Sequence, residues 1–195
     1  MSKAVMLSIR PKWCEKICSG EKTIEVRKTR PKLETPFKVY IYCTLPKYPH
    51  EDFIATDCPK PQFYGGGKVI GEFTCDRIDW ITHIGYTGIP NLVETRICDA
   101  ATMRTSPTGG LLNAACLTPK MMNDYLAGAD GYGWHISDLS IYDQPQKLTE
   151  FRRSCPNDLY CEACAMYSNN NGICNNGALP LRRPPQSWCY VEEDT

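Results

Sequence analysis

The chain has 195 residues, 42% of them hydrophobic, and a formal net charge of zero, which fits one domain, or one domain with an insertion, built on a real core. No stretch approaches the roughly 18 uninterrupted apolar residues of a membrane span, and the first apolar run is too short for a secretory signal, so a cytoplasmic chain with no membrane attachment is expected. The neutral total hides an asymmetry: residues 1–47 hold 11 Lys and Arg against 4 Asp and Glu, a balance suited to attracting phosphates, although a charge run is also what a solvated surface looks like.

Residues 4–9 read as a strand. Pro11 suits the first turn of a helix, where its missing N–H costs nothing. Trp13 and Ile17 lie four apart on one face of that helix, and Gly20 is a suitable stop. A second strand over residues 23–28 alternates, with Ile24 and Val26 on one side and Thr23, Glu25 and Arg27 on the other. Lys22, Glu25 and Arg27 therefore crowd one turn and one strand face, a layout that suits a polar cleft. Ser8 and Arg10, at the end of the first strand, have the parity to face the same side.

Residues 29–35 form a charged, Pro-containing loop, and residues 39–44 a third strand rich in β-branched and aromatic side chains. Residues 46–67, with several prolines and a closing Gly65-Gly66-Gly67, should be a long loop. Residues 68–80 read as one long strand in which Gly71 marks a bulge or tight bend. Residues 82–116 are polar and broken by Gly and Pro, and fit strand fragments or a lid. Thr118 and Pro119 make a good helix start, as N-cap and first helical residue, and the helix should run through Leu126 and stop at Gly128. Residues 133–142 read as a strand in which Ile136 breaks parity with Leu139 and Ile141, and residues 187–192 as a last strand. Short strands with two helices favour an α+β, mainly β chain: a small β-barrel with helical decoration.

Twelve cysteines are many for a reducing compartment, where they serve more often as thiols or metal ligands than as disulfides. Cys155, Cys161, Cys164 and Cys174 follow a C-x5-C-x2-C-x9-C spacing inside residues 152–183. A C-x2-C pair presents two thiolates to one tetrahedral ion, and two more would close a structural zinc site. This segment has few large apolar residues, so a metal would supply folding energy that it lacks. Disulfides and free thiols are the other outcomes open to these four. Cys14 and Cys18 on the first helix, and Cys43, Cys75 and Cys189 inside strands, read as packing residues.

The run Leu7-Ser8-Ile9-Arg10-Pro11, then Ile17-Cys18-Ser19 and Gly20-Glu21-Lys22-Thr23-Ile24-Glu25-Val26-Arg27, resembles the ASCH domain of the PUA-like superfamily. Val69-Ile70-Gly71-Glu72-Phe73 and Trp134-His135-Ile136 sit where such domains place further barrel strands. The pattern is similar to small ASCH proteins of phages and gut bacteria. It covers most of residues 4–143 and resumes near 187–191, with residues 152–183 as a Cys-rich insertion within a single domain of residues 1–195. The resemblance implies a PUA-like β-barrel with two or three flanking helices and a cleft beside the Gly-x-Lys-x-x-Glu-x-Arg strand, binding RNA, a nucleotide or a modified nucleoside. One branch of the family resembles a deacylase of acetylated cytidine that uses a lysine and a threonine from this strand. Lys22 matches its lysine, but Glu25 stands where its threonine would be, which moves the expectation from catalysis to binding.

Within such a cleft Lys22 is suited to hold a phosphate or polarise a carbonyl, and Arg27 to bind a phosphate bidentately. Glu25 is suited to accept from a base amino group or to act as a general base. The plainer alternative is an internal ion pair between Glu25 and Arg27. Ser8 and Arg10 would join them as ligand-binding residues, and Trp134 would either stack on a base or fill the core. His135 alternates with Trp134 and reads as a hydrogen-bonded structural residue. Two further functions stay open: a hydrolase or ribonuclease with Lys22 and Glu25 as its catalytic pair, and a phage-type protein-interaction module that engages a partner through its insertion.

Overall fold

The computed structural model describes residues 3–48, 64–85, 93–98, 104–154 and 180–193. Among them ten strands form two five-stranded sheets. In the first sheet β1 (Lys3–Ile9) pairs parallel with β3 (Phe37–Cys43) and antiparallel with β10 (Trp188–Glu192); β4 (Lys68–Cys75) and β9 (Ser137–Lys147) follow β3. The second sheet runs β2 (Ile24–Arg27), β8 (Gly131–His135), β5 (Ile78–Gly85), β6 (Val93–Cys98) and β7 (Thr105–Pro107).

The parallel β1–β3 pair needs a crossover, and the crossover builds the site. It consists of helix α1 (Pro11–Cys18) and then β2, which leaves for the second sheet. Helix α1 buries Pro11, Cys14, Ile17 and Cys18, the spacing of one helical face. Gly20 reverses the chain with φ of +80°, a conformation open to glycine at little cost.

Two more helices, α2 (Gly109–Ala114) and α3 (Pro119–Leu126), cover the outer face of β2 and β5. There Ile24, Val26 and Ile81 pack on Leu111, Leu112, Met122 and Leu126, so the apolar side of the β2 alternation falls as its sequence predicts. Thr118 caps α3 by accepting from Met121 N–H. Helix α2 lies in the stretch whose sequence fits strand fragments or a lid; among the described residues that stretch supplies β6, β7 and α2. The main core lies between the sheets, with Val5, Leu7, Ile41 and Phe73 from one meeting Trp134 from the other.

Two expected strands are each split in two. Residues 68–80 form β4 and β5, in different sheets, and the 133–142 strand is likewise divided between β8 and β9. The chain turns the same corner twice, and the corners pin each other. The Ser137 hydroxyl donates to the Asp76 carboxylate at 2.6 Å, and His135 N–H donates to Arg77 C=O at 3.0 Å. Ile136, the residue out of parity, donates its N–H to Thr23 C=O at 2.9 Å. Gly71 sits at a register shift between β4 and β9, where an added Cβ would lie 2.4 Å from Ser140 C=O.

Residues 155–179, with Cys155, Cys161, Cys164 and Cys174, lie outside the described residues, as do residues 49–63 of the long loop. Arg152 and Pro180, on either side of the cysteine segment, form an antiparallel bridge, and Leu181 N–H donates to Phe151 C=O at 2.8 Å. Among the described residues no helix is long and apolar enough to cross a membrane.

Candidate functional site

The polar face of β2 and the turn before it carry an ionic cluster. Lys22 is 3% exposed and Glu25 5%. The Lys22 ammonium lies 3.1 Å from Glu25 Oε2, and Arg27 Nη2 lies 3.1 Å from Glu25 Oε1. Each cation is also anchored to backbone: Lys22 Nζ donates to Ala115 C=O at 2.7 Å, and Arg27 Nη2 to Ser8 C=O at 2.6 Å. One carboxylate is thus clamped between two cations, which reduces the desolvation penalty of burying all three. The internal ion pair expected as the plainer alternative is present, and it does not close the site. Glu25 Oε2 meets the Lys22 ammonium, and Arg27 Nε is buried without a hydrogen bond among the described residues.

This cluster forms the floor of a cleft of about 710 Å³, within the size range of small-molecule sites. Ser8, Arg10, Lys22, Glu25 and Arg27 all line it, so five of the six expected ligand-binding residues come together. Ser8 takes part mainly through its carbonyl, because its hydroxyl already donates to Pro185 C=O at 2.7 Å.

Trp134 is the exception and corrects the stacking expectation. It is fully buried, with the Phe37 ring 5.9 Å and the Trp188 ring 6.1 Å away, centroid to centroid. It lies directly opposite Glu25 in the β2–β8 pairing. The shared face points into the space between the sheets, and a large apolar ring there fills the core.

The structure adds cleft residues that sequence reading passed over. Lys12 and Lys28 bring the lining to five cations against two carboxylates, Glu25 and Asp124, and Asp124 is paired with Lys120 at 2.7 Å. Trp13 carries the Lys12 ammonium 4.5 Å and the Lys22 ammonium 5.1 Å from its ring centroid. Tyr125, on α3, has Lys28 Nζ at 5.5 Å and is 39% exposed. Lys12-Trp13 beside Arg10 was a legible basic–aromatic signal. Tyr125 had none, since only the packing of α3 over β2 brings it to the cleft.

His135 is held by a second polar group. Its Nε2 lies 2.8 Å from Asp79 Oδ2 and 2.9 Å from Arg77 Nη2, in keeping with the structural role expected for it. Burial would raise the Asp79 pKa, but hydrogen bonding and charge from His135 and Arg77 outweigh it and hold the carboxyl below its ordinary value. Burial pushes the Cys75 thiol up to about 12 and the Cys14 thiol well above its usual value, which fits packing residues rather than ligands. Among the described residues no group of three or more His, Cys, Asp or Glu is placed to hold a metal.

The chain matches no family model and no curated protein. It is similar in structure to ASCH from Zymomonas mobilis, with a TM-score of 0.51 and 16% identity, over 97% of this chain and 88% of that one. Two single-substitution variants of the same Zymomonas mobilis protein align with TM-scores of 0.52 and 17% identity; one alignment spans 98% of this chain and 92% of the other, the second 97% and 89%. At that identity the likeness concerns fold, and with the two sheets, three helices and the β1–α1–β2 crossover it shows that this chain has the α+β fold of that ASCH protein.

Proposed function

We propose that the cleft binds single-stranded RNA, or a nucleotide or modified nucleoside. The observation that carries this reading is the composition of the cleft: an excess of cations and two aromatic rings around a buried carboxylate. Arg10, Lys12 and Lys28 stand at the lining to meet phosphates, and Trp13 or Tyr125 offers a face to a base. Lys22 and Arg27 hold Glu25 in place and balance its charge. The family resemblance of the Gly20–Arg27 motif points the same way, as an analogy of fold rather than a determination of function.

The hydrolytic reading ranks behind binding. It would have Lys22 polarise a carbonyl and Glu25 activate water, yet the Lys22 ammonium is already committed to Ala115 C=O and Glu25. Titration of the protein with a short single-stranded RNA and with cytidine derivatives, followed by tryptophan fluorescence, tests the proposal. Saturable change is expected; no change at millimolar ligand overturns it. Turnover of acetylcytidine or RNA that Lys22→Ala abolishes would move the assignment to an enzyme.

A further inference from the structure

A second concave surface lies further along the sheet that carries Glu25 and Arg27, over β8, β5, β6 and β7, and it begins beside the cluster, since Tyr132 in its lining is the cross-strand partner of Arg27. It is a groove of about 890 Å³ whose lining includes Arg30, Arg77, Arg104, Asp79, Trp80 and Tyr132. Three guanidinium groups thus face a single carboxylate, and Asp79 is itself engaged by Arg77 at 3.2 Å and by His135 at 2.8 Å. Guanidinium groups match phosphate oxygens in pairs.

The aromatic part of the groove is ordered by the sheet. Trp80 on β5 lies directly opposite Tyr132 on β8, so the two rings share one face of neighbouring strands. Both are only partly buried. The Trp80 indole is held by its edge: Nε1–H donates to Asp130 Oδ2 at 3.1 Å, and the Thr82 hydroxyl fixes the same carboxylate through Oδ1 at 3.0 Å. Arg30 lies over the Tyr132 ring, 5.8 Å from its centroid. An aromatic pair whose indole is fixed by its edge, beside arginines, is a pre-oriented platform for a flat ring bearing a phosphate.

We propose that this groove is a second ligand site that takes a nucleotide unit, with its base against Trp80 and Tyr132 and its phosphate on Arg30, Arg77 and Arg104. The chemistry is shared by a free mononucleotide and by one residue of a single-stranded RNA. The inference rests on the groove's own residues and holds whether or not the cleft binds.

The test follows the Trp80 indole N–H resonance of nitrogen-15-labelled full-length protein during titration with adenosine 5′-monophosphate, a short single-stranded RNA and inorganic phosphate. The nucleotide or the RNA should move Trp80, and the double variant Arg30→Glu/Arg104→Glu should weaken that response about tenfold or more while the Trp13 response is unchanged. RNA acting at far lower concentration than the mononucleotide identifies a strand as the source, and comparable affinities identify a free nucleotide; both support the site. A Trp80 resonance unmoved at millimolar nucleotide and RNA overturns the proposal. So does an equal response in the arginine variant, and so does a full response to phosphate alone. Each of these is read at Trp80, and failure of the cleft reading is read separately at Trp13.

Discussion

The Lys22 ammonium sits 3.1 Å from the Glu25 carboxylate, and both side chains are almost wholly buried at the floor of an open cleft. Removing one member of such a pair strands the other, at a cost of about 3–5 kcal/mol. Because Arg27 still faces Glu25 from the other side, Lys22→Met should fall at the low end, about 3 kcal/mol, a drop in Tm of roughly 6–12 °C for a chain of this size. The double variant Lys22→Met/Glu25→Gln should lose less than the sum of the singles, the mark of direct coupling. Thermal or urea unfolding of the three variants checks this; strict additivity would mean that the pair is not energetically linked.

Trp13 and Trp134 should separate binding from stability. Trp13→Ala should weaken nucleotide or RNA affinity by about tenfold, within the roughly 1–3 kcal/mol that base stacking contributes. Trp134→Ala should instead cost about 3–5 kcal/mol of stability through a core cavity. Paired binding isotherms and unfolding curves measure both effects. Trp134→Phe should keep ligand affinity; a selective loss of affinity in that folded variant would return Trp134 to the site.

These two tryptophans also show how far the sequence carries. Strand parity placed Glu25 and Arg27 together, and local chemistry placed the ends of α1 and α3, because Gly20 and Pro119 act through their own backbone and Thr118 through a hydroxyl that caps the residues just after it. Parity could not say that Trp134, across from Glu25, faces the closed interior, since that depends on the first sheet covering it. The splits at Asp76–Arg77 and at Ile136 were hidden for the same reason. Each strand ends at contacts far away in sequence, Asp76 with Ser137 and Arg77 with His135.

Asp79 should make stability fall in acid. Its carboxyl is held below its ordinary value in the folded chain, so folding disfavours its protonation. The resulting stabilisation is fully present above the unfolded carboxyl's pKa, near 4, and is lost as pH falls through the lower folded value. Tm measured from about pH 6 down to pH 2 should therefore drop more steeply for the wild type than for Asp79→Asn. Parallel curves would remove Asp79 from the acid response.

For the cysteine segment we propose a structural zinc held by Cys155, Cys161, Cys164 and Cys174, on the strength of their spacing and of the small number of large apolar residues around them. Elemental analysis of protein purified without added metal should find about one equivalent of zinc, lost when Cys161 and Cys164 are both replaced by Ser. Less than about one tenth of an equivalent would contradict the assignment, since structural sites are normally filled.

The most direct test of the cleft uses the four tryptophans as position markers. During titration of nitrogen-15-labelled protein with a short single-stranded RNA or a cytidine nucleotide, the Trp13 indole resonance should move saturably. The buried Trp134 resonance should move far less. The Trp13 response should weaken as salt rises, as expected for a site that meets phosphates with Arg10, Lys12 and Lys28. A Trp13 resonance that stays fixed up to millimolar ligand in folded protein would contradict nucleotide or RNA binding at the Lys22–Glu25–Arg27 cleft.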